Sequence, residues 1–370
     1  MKLLKKTTYL LLVLAMVLSL AACGNTATDT EQPADETAEQ PADDATEEAT
    51  DDAEEAPAEG GEIASLGLGA VTSLEKSSEL KEDKGQAQED TTIVAAAFDA
   101  DGKIVDVKID VAQNKGGLND DGTFKFAVTD ELKTKRDLGD EYGMRKSSGI
   151  EKEWFEQADA LEDAWTGKTV EEIVAMPKEE NVYVDLSSSV TIKVNGYEAA
   201  LQNAWDNKVD AAGATKLGLG IESHFGSRSA EAADDKGASV QFETYMAAVA
   251  LDNDGKIVAD SINVAQNSVA YNADGTLAEG FNAEGTNKKT LGEEYGMRKS
   301  SGIGKEWFEQ IEALEQYLVG KTADEVNGIA VEQRDESHVA VPTDADLASS
   351  VTITIDGYQK VVTEAIENAQ

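Results

Sequence analysis

The sequence predicts an α+β chain built from two tandem copies of one domain, each an antiparallel sheet with packed helices. Three observations predict it: a long segment that returns about 150 residues later, β-rich runs joined by a hairpin turn, and capped stretches with helical apolar spacing.

The repeat is explicit. Leu66-Gly67-Leu68-Gly69 returns as Leu217-Gly218-Leu219-Gly220, Asp101 to Val105 returns as Asp254 to Val258, and Val111-Ala112-Gln113-Asn114 returns as Val264-Ala265-Gln266-Asn267. Glu141 to Gln157 matches Glu294 to Gln310 except for Glu151 against Gly304. So long a period marks a duplicated domain, each copy large enough for a core of its own. The expected organisation is a leader over 1–22, a lipidated cysteine and tether over 23–61, a first copy over 62–210 and a second over 211–370.

The leader comes first. Lys2, Lys5 and Lys6 precede an apolar run from Tyr9 to Leu20, shorter than the roughly 20 residues a bilayer span needs. It ends in Leu20-Ala21-Ala22-Cys23, small residues before a cysteine, which suits a lipoprotein signal with cleavage before an acylated Cys23 (palmitate-type chains). An ordinary signal peptide that happens to hold a cysteine is the alternative. From Gly24 to Gly61 there is no Lys or Arg, and Pro33, Pro41 and Pro57 interrupt an Asp, Glu, Ala and Thr background. That composition cannot bury enough apolar surface to order itself. The expectation is an extended tether reaching on the order of 100 Å.

Composition then narrows the chemistry. Cys23 is the only cysteine and His224 and His338 are the only histidines, so a disulfide framework, haem attachment, an iron–sulfur cluster or a structural zinc site is not expected. The net charge of −41 repels nucleic acid and favours cations or neutral solutes.

Within a copy, Thr92 to Phe98 and Ile104 to Val111 read as strands joined by Asp99-Ala100-Asp101-Gly102. Ser148 is expected to cap a helix carrying Ile150, Trp154, Ala158, Leu161 and Trp165, stopped at Gly167. Thr169 caps a short helix through Met176. Val190, Ile192 and Val194 alternate as a half-buried strand, with Thr191 facing away from the core. Asn195 and Asp356 are expected to cap the closing helices, Tyr197 to Trp205 and Tyr358 to Ile366.

Two constellations recur at matching places. The first is Asp185-Leu186-Ser187-Ser188-Ser189-Val190-Thr191, matched by Asp346-Leu347-Ala348-Ser349-Ser350-Val351-Thr352. Small hydroxyl residues leave the threonine uncrowded, and the Asp six positions upstream offers a carboxylate to orient the hydroxyl or a Mg²⁺ ion. A threonine is a weak nucleophile unless activated, so a second enzyme would supply any reaction there; a plain Ser/Thr-rich edge strand is the alternative. The second constellation, Glu141 to Ile150, is identical in Glu294 to Ile303. Gly143 permits close backbone approach, Tyr142 and Met144 (Tyr295 and Met297) offer flat and polarizable surfaces, and Arg145 with Lys146 (Arg298 with Lys299) add positive charge near a helix start, suited to a phosphate or an electron-rich ring. A hydrophobic staple with surface ion pairs is the other reading.

The Asp-x-x-Ser-Ser-Val-Thr segments resemble the Asp-x-x-Ser/Thr-Gly-Ala-Thr signal at which flavin transferases join FMN to threonine by a phosphoester. With its paired Tyr-Gly-Met-Arg-Lys-Ser-Ser-Gly-Ile segments, the chain is similar to the PplA-type flavinylated lipoproteins of Gram-positive extracellular electron transfer. The resemblance implies two FMN-binding-type domains, with FMN attached at Thr191 and Thr352 and contacts from Asp185, Asp346, Ser188, Ser189, Ser349, Ser350, Tyr142, Met144, Lys146, Tyr295, Met297 and Lys299. It departs at Ser189 and Ser350 (usually Gly) and at Val190 and Val351 (usually Ala). It also implies a lipid-anchored place on the outer face of the cell membrane. The implied partners are a flavin transferase, a membrane NADH dehydrogenase or quinol pool, and extracellular acceptors such as ferric iron and soluble flavins. The role the resemblance implies is electron transfer, as a carrier or reductase component. In that family the clipped leader serves as a peptide pheromone, which the resemblance would place at Ala15 to Ala22, although any lipoprotein signal has a similar apolar tail. A non-redox lipoprotein gathering cations or a solute, and a wall spacer, are the competing readings.

Overall fold

In the first copy the β-rich runs form an antiparallel meander, β1 (Ser65–Ser73), β2 (Gly85–Phe98) and β3 (Ile104–Leu118). The β2–β3 turn works as expected: Gly102 takes φ +80°, and Asp99 Oδ1 accepts from the Asp101 and Lys103 amides at 2.9 and 2.8 Å. The computed structural model describes residues 61–336 and 338–370. The leader, Cys23 and the tether up to residue 60 lie outside the described residues.

After the meander come α1 (Lys135–Leu138), α2 (Trp154–Trp165) and α3 (Val170–Val174). The short ladder β4 (Lys178–Glu179) with β5 (Val182–Tyr183) follows, then α4 (Asn195–Asp206) and β6 (Val209–Asp210), which returns to the free edge of β1. The second copy repeats the order with β7 (Lys216–Phe225), β8 (Ser239–Leu251) and β9 (Ile257–Ala270), then α5 (Lys288–Leu291), α6 (Trp307–Leu318) and α7 (Ala323–Asn327). It closes with the ladder of β10 (Val331–Glu332) on β11 (Val341–Pro342), then α8 (Ala345–Ala348) and α9 (Asp356–Glu367). The chain is therefore α+β with antiparallel sheets.

The Leu-Gly-Leu-Gly repeat has a steric cause. α4 lies so close on β1 that a Cβ on Gly67 or Gly69 would fall within the carbonyl oxygens of Ala204 or Ala200. Gly218 and Gly220 stand in the same relation to Ala365 and Val361 of α9. In copy one, Val94, Phe98, Ile109, Trp154, Leu161, Trp165 and Leu201 form the core between sheet and helices. Copy two builds the same core from Val249, Ile262, Trp307, Leu314 and Val361.

The two copies also share cores. The opposite face of β2 sends Ile93, Ala95 and Ala97 against Met246, Ala248 and Ala250 of β8, and a second shared cluster joins Leu74 and Leu118 to Phe225 and Phe242. Small residues let the sheets approach. Burial on both faces explains why the Ile93 to Phe98 end of β2 reads as an unbroken apolar run. β2 and β3 also run past the expected ends, into polar stretches where Glu89 and Asn114 are buried at 0 % and 1 % exposure.

Three local expectations are corrected. The segment Val190–Val194 is not a strand: Val190 and Val194 are fully buried, but the Thr191 and Ile192 amides bond to a side chain instead of a ladder. Alternation reported burial and not pairing. Ser148 does not cap α2; Glu153 does, in a capping box with Glu156. Asn195 and Asp356 are the first residues of their helices, whose caps Val194 and Ile355 make no side-chain capping bond. The Thr169 cap on α3 is as expected, with Thr169 Oγ1 accepting from the Glu172 amide at 3.2 Å.

Candidate functional site

The threonine segment is held from below by Val190, fixed in the core, and from behind by a turn in which Leu186 O accepts from the Ser189 and Val190 amides at 2.8 and 2.7 Å. Thr191 is half-buried. Its amide and Oγ1 both donate to Gln157 Oε1, at 2.8 and 3.2 Å, and the Ile192 amide reaches the same oxygen at 3.2 Å. In copy two, Asp344 caps α8, Leu347 O accepts from the Ser350 and Val351 amides, and Thr352 donates its amide and Oγ1 to Gln310 Oε1 at 2.8 and 3.3 Å. Gln157 and Gln310 are fully buried on α2 and α6.

The other end of each glutamine reaches the second constellation. Gln157 Nε2 donates to Ser148 Oγ at 3.4 Å, and Gln310 Nε2 to Ser301 Oγ at 3.3 Å. One carboxamide per copy thus joins the two repeated motifs. This residue was not singled out from the sequence, although the near-identical run Glu141–Gln157 ends on it.

The second constellation turns at Gly143 and Gly296, at φ +76° and +77°, and leaves Tyr142, Met144, Tyr295 and Met297 partly buried against the cores. Its helix start does not stand open to an anion. The Glu153 carboxylate accepts from the Met144 and Arg145 amides at 2.8 Å each, and Glu306 does the same for Met297 and Arg298. Arg145 is held by Asp140 and Glu156, and Arg298 by Glu293 and Glu309. Lys146 and Lys299 are exposed and make no ion pair among the described residues.

Asp185 and Asp346 are exposed, as are Ser188 and Ser349, while Ser189 and Ser350 are half-buried. Neither aspartate bonds to its threonine among the described residues; the glutamine does that work. The second site carries a feature the first lacks: Arg334 Nη2 donates to Thr352 O at 3.2 Å, and its hairpin holds His338 Nδ1 2.7 Å from Asp335 Oδ1.

No family model matches the chain, and no solved structure matches it. Among curated proteins, a chlorophenol reductase of Desulfitobacterium hafniense is 37% identical over 93 residues. That match takes in 22% of this chain and 28% of the reductase, so the chain spans under a third of that protein's length.

Elsewhere, a cleft of about 490 Å³ opens between the copies, lined by Arg136, Asp110, Glu162 and Glu364 among others and by neither threonine. Burial pushes the acids there upward, Asp110 to about 6 and Glu162 and Glu364 to about 7. Among the described residues, no group of three or more His, Cys, Asp or Glu is arranged to hold a metal ion, and no helix is long and apolar enough to cross a membrane.

The glutamine is open to test. Gln157→Leu leaves two amides without their acceptor, so it is expected to cost about 1–3 kcal/mol. Hydrogen exchange should then speed at Thr191 and Ile192 and not in β2. Unchanged protection at those two amides would show that the carboxamide does not hold the segment.

Proposed function

We propose that the chain is a membrane-tethered electron carrier with FMN joined by a phosphoester to Thr191 and to Thr352. The observation that supports it most is the duplicated carboxamide bridge, by which Gln157 and Gln310 fix one threonine hydroxyl per copy beside the Tyr-Gly-Met-Arg-Lys motif. The residues present suit such a group. Each threonine is part-exposed, small serines precede it, and the partly buried Tyr142 and Met144 lie along the same helix start. Partial identity to a protein named a reductase agrees with redox work.

In this reading the chain's residues bind and orient. Gln157 Oε1 accepts a hydrogen bond from the Thr191 hydroxyl, which would leave the Oγ1 lone pairs free for a transferase's phosphoryl donor. The exposed Asp185 and Asp346 would hold the metal of that enzyme's nucleotide substrate, since neither is engaged by its own threonine. When bound, FMN supplies the electron-accepting ring, and the protein sets its place and surroundings. Cys23 and the tether keep the carrier near a membrane NADH dehydrogenase or quinol donor at high effective concentration, for delivery to ferric iron or soluble flavins outside.

Produced with a flavin transferase, the purified chain should stay yellow through denaturation and desalting. A colourless polypeptide after that treatment counts against the proposal. A second reading, a solute- or cation-binding lipoprotein, draws on the acidic cleft between the copies. It predicts calorimetric binding unaffected by joint Thr191→Val and Thr352→Val replacement.

A further inference from the structure

Lys135 and Lys288 occupy matching positions as the first residues of α1 and α5. The Lys135 ammonium sits 4.9 Å from the Tyr142 ring centroid and 5.2 Å from that of Trp154. Lys288 repeats the arrangement at 5.2 Å from Tyr295 and 5.5 Å from Trp307. Lys135 is half-buried, and Lys288 is only 7 % exposed. Neither ammonium makes a hydrogen bond or ion pair among the described residues. The carboxylates that attract them from a distance are engaged elsewhere: Asp90 with Lys76 at 2.8 Å, and Glu243 with Gln266 at 2.6 Å. Burial pushes both lysines down to about 8.

A buried cation without an anionic partner is costly, and cation–π contact offsets only part of that cost. In a chain of net charge −41, a matched pair of such cations calls for a reason. Their location gives one. Trp154 opens α2, and Gln157 stands one turn further on the same face, holding Thr191. Trp154 Nε1 also donates to Tyr197 Oη at 2.8 Å, which ties this face to the helix that follows the threonine segment. Lysine and threonine hydroxyl therefore flank one row of buried aromatic and amide side chains, in both copies.

We propose that Lys135 and Lys288 are potential-setting residues, each placing positive charge beside the electron-accepting ring carried by the threonine of its own copy. This rests on the carrier reading above. The stabilised form is the reduced, anionic ring, reached by uptake of two electrons from the donor and one proton from water. In the test, dithionite is the donor.

Each lysine is read alone, Lys135 in a Thr352→Val background and Lys288 in a Thr191→Val background, so that one flavin reports. Flavin content is measured on denatured protein, and midpoint potentials by reductive titration against indicator dyes. Lys135→Met, and Lys135→Gln should methionine fail to fold, are expected to weaken reduction by at least tenfold, about 30 mV for a two-electron couple. Lys135→Arg should restore most of the shift. Equal potentials in fully loaded Gln and Lys proteins overturn the proposal. A background protein that carries no flavin at all overturns the carrier reading, and this inference with it.

Discussion

Gly69→Ala is expected to lower the stability of the chain by about 3 kcal/mol or more, at the upper end of what overpacking costs. The added methyl group meets the carbonyl oxygen of Ala200 and the amide of Ala204, both backbone atoms of α4. No rotamer change relieves such a clash, so the helix must lift off β1 and with it Leu201, which is fully buried in the copy-one core. Gly220→Ala should behave alike, against Val361 and Ala365 of α9. Gly149→Ala is the control: nothing lies within reach of its Cβ, and the change should fall within about 0.5 kcal/mol. Urea unfolding checks this, through the midpoint at constant slope. A Gly69→Ala midpoint equal to the control would mean that α4 does not rest on the strand as described.

The second large effect concerns Glu89, fully buried where the copies meet. Its Oε2 accepts from Asn267 Nδ2 at 2.7 Å, and its Oε1 from Asn114 and Thr244 at 3.4 Å each. No cation pairs with it among the described residues. Burial outweighs these three bonds and pushes the carboxyl up to about 7. Because the folded value is raised, the stabilisation is complete below the ordinary carboxyl range and is lost as pH rises toward and through 7. At about 1.36 kcal/mol per unit, the loss is roughly 3 kcal/mol by pH 8. Glu89→Gln keeps the shape without the charge. It should match the wild type near pH 4 and exceed it by up to about 3 kcal/mol at pH 8. Asp110, Glu162 and Glu364 slope the same way in both proteins, so the difference between the two melting curves isolates Glu89. Parallel curves from pH 4 to pH 8 would contradict this account.

The residues that the sequence made legible are those whose signals are local. The Asp99–Gly102 turn, the Thr169 cap and the helical spacing of Trp154, Leu161 and Trp165 depend on neighbours in the chain, and all three stand where expected. Signals that need a distant partner were not legible. Leu-Gly-Leu-Gly marked the repeat, but its purpose appears only with α4 laid across it. The alanines of β2 and β8 face the other copy, and neither copy's pattern announces that partner. At the site, the threonines and the Tyr-Gly-Met-Arg-Lys motif were evident as repeats, while the glutamine that joins them looked like one more polar helix residue. The expected strand at Val190–Val194 failed for the same reason, since Gln157 takes the amides that a neighbouring strand would have used. Beside Arg145 and Lys146, the Met144 and Arg145 amides bond to Glu153, a side chain of the protein itself, which the sequence did not announce.

The proposed carrier holds FMN on two threonines, one per copy. Intact-mass and peptide mass spectrometry of the denatured chain, made together with a flavin transferase, tests it most directly. A gain of two FMN groups, each less one water, is expected, localised to the peptides that hold Thr191 and Thr352. Thr191→Val and Thr352→Val should each remove one group, and the double variant both. Unmodified peptides at both threonines, from cells whose transferase flavinylates a control substrate, would contradict it.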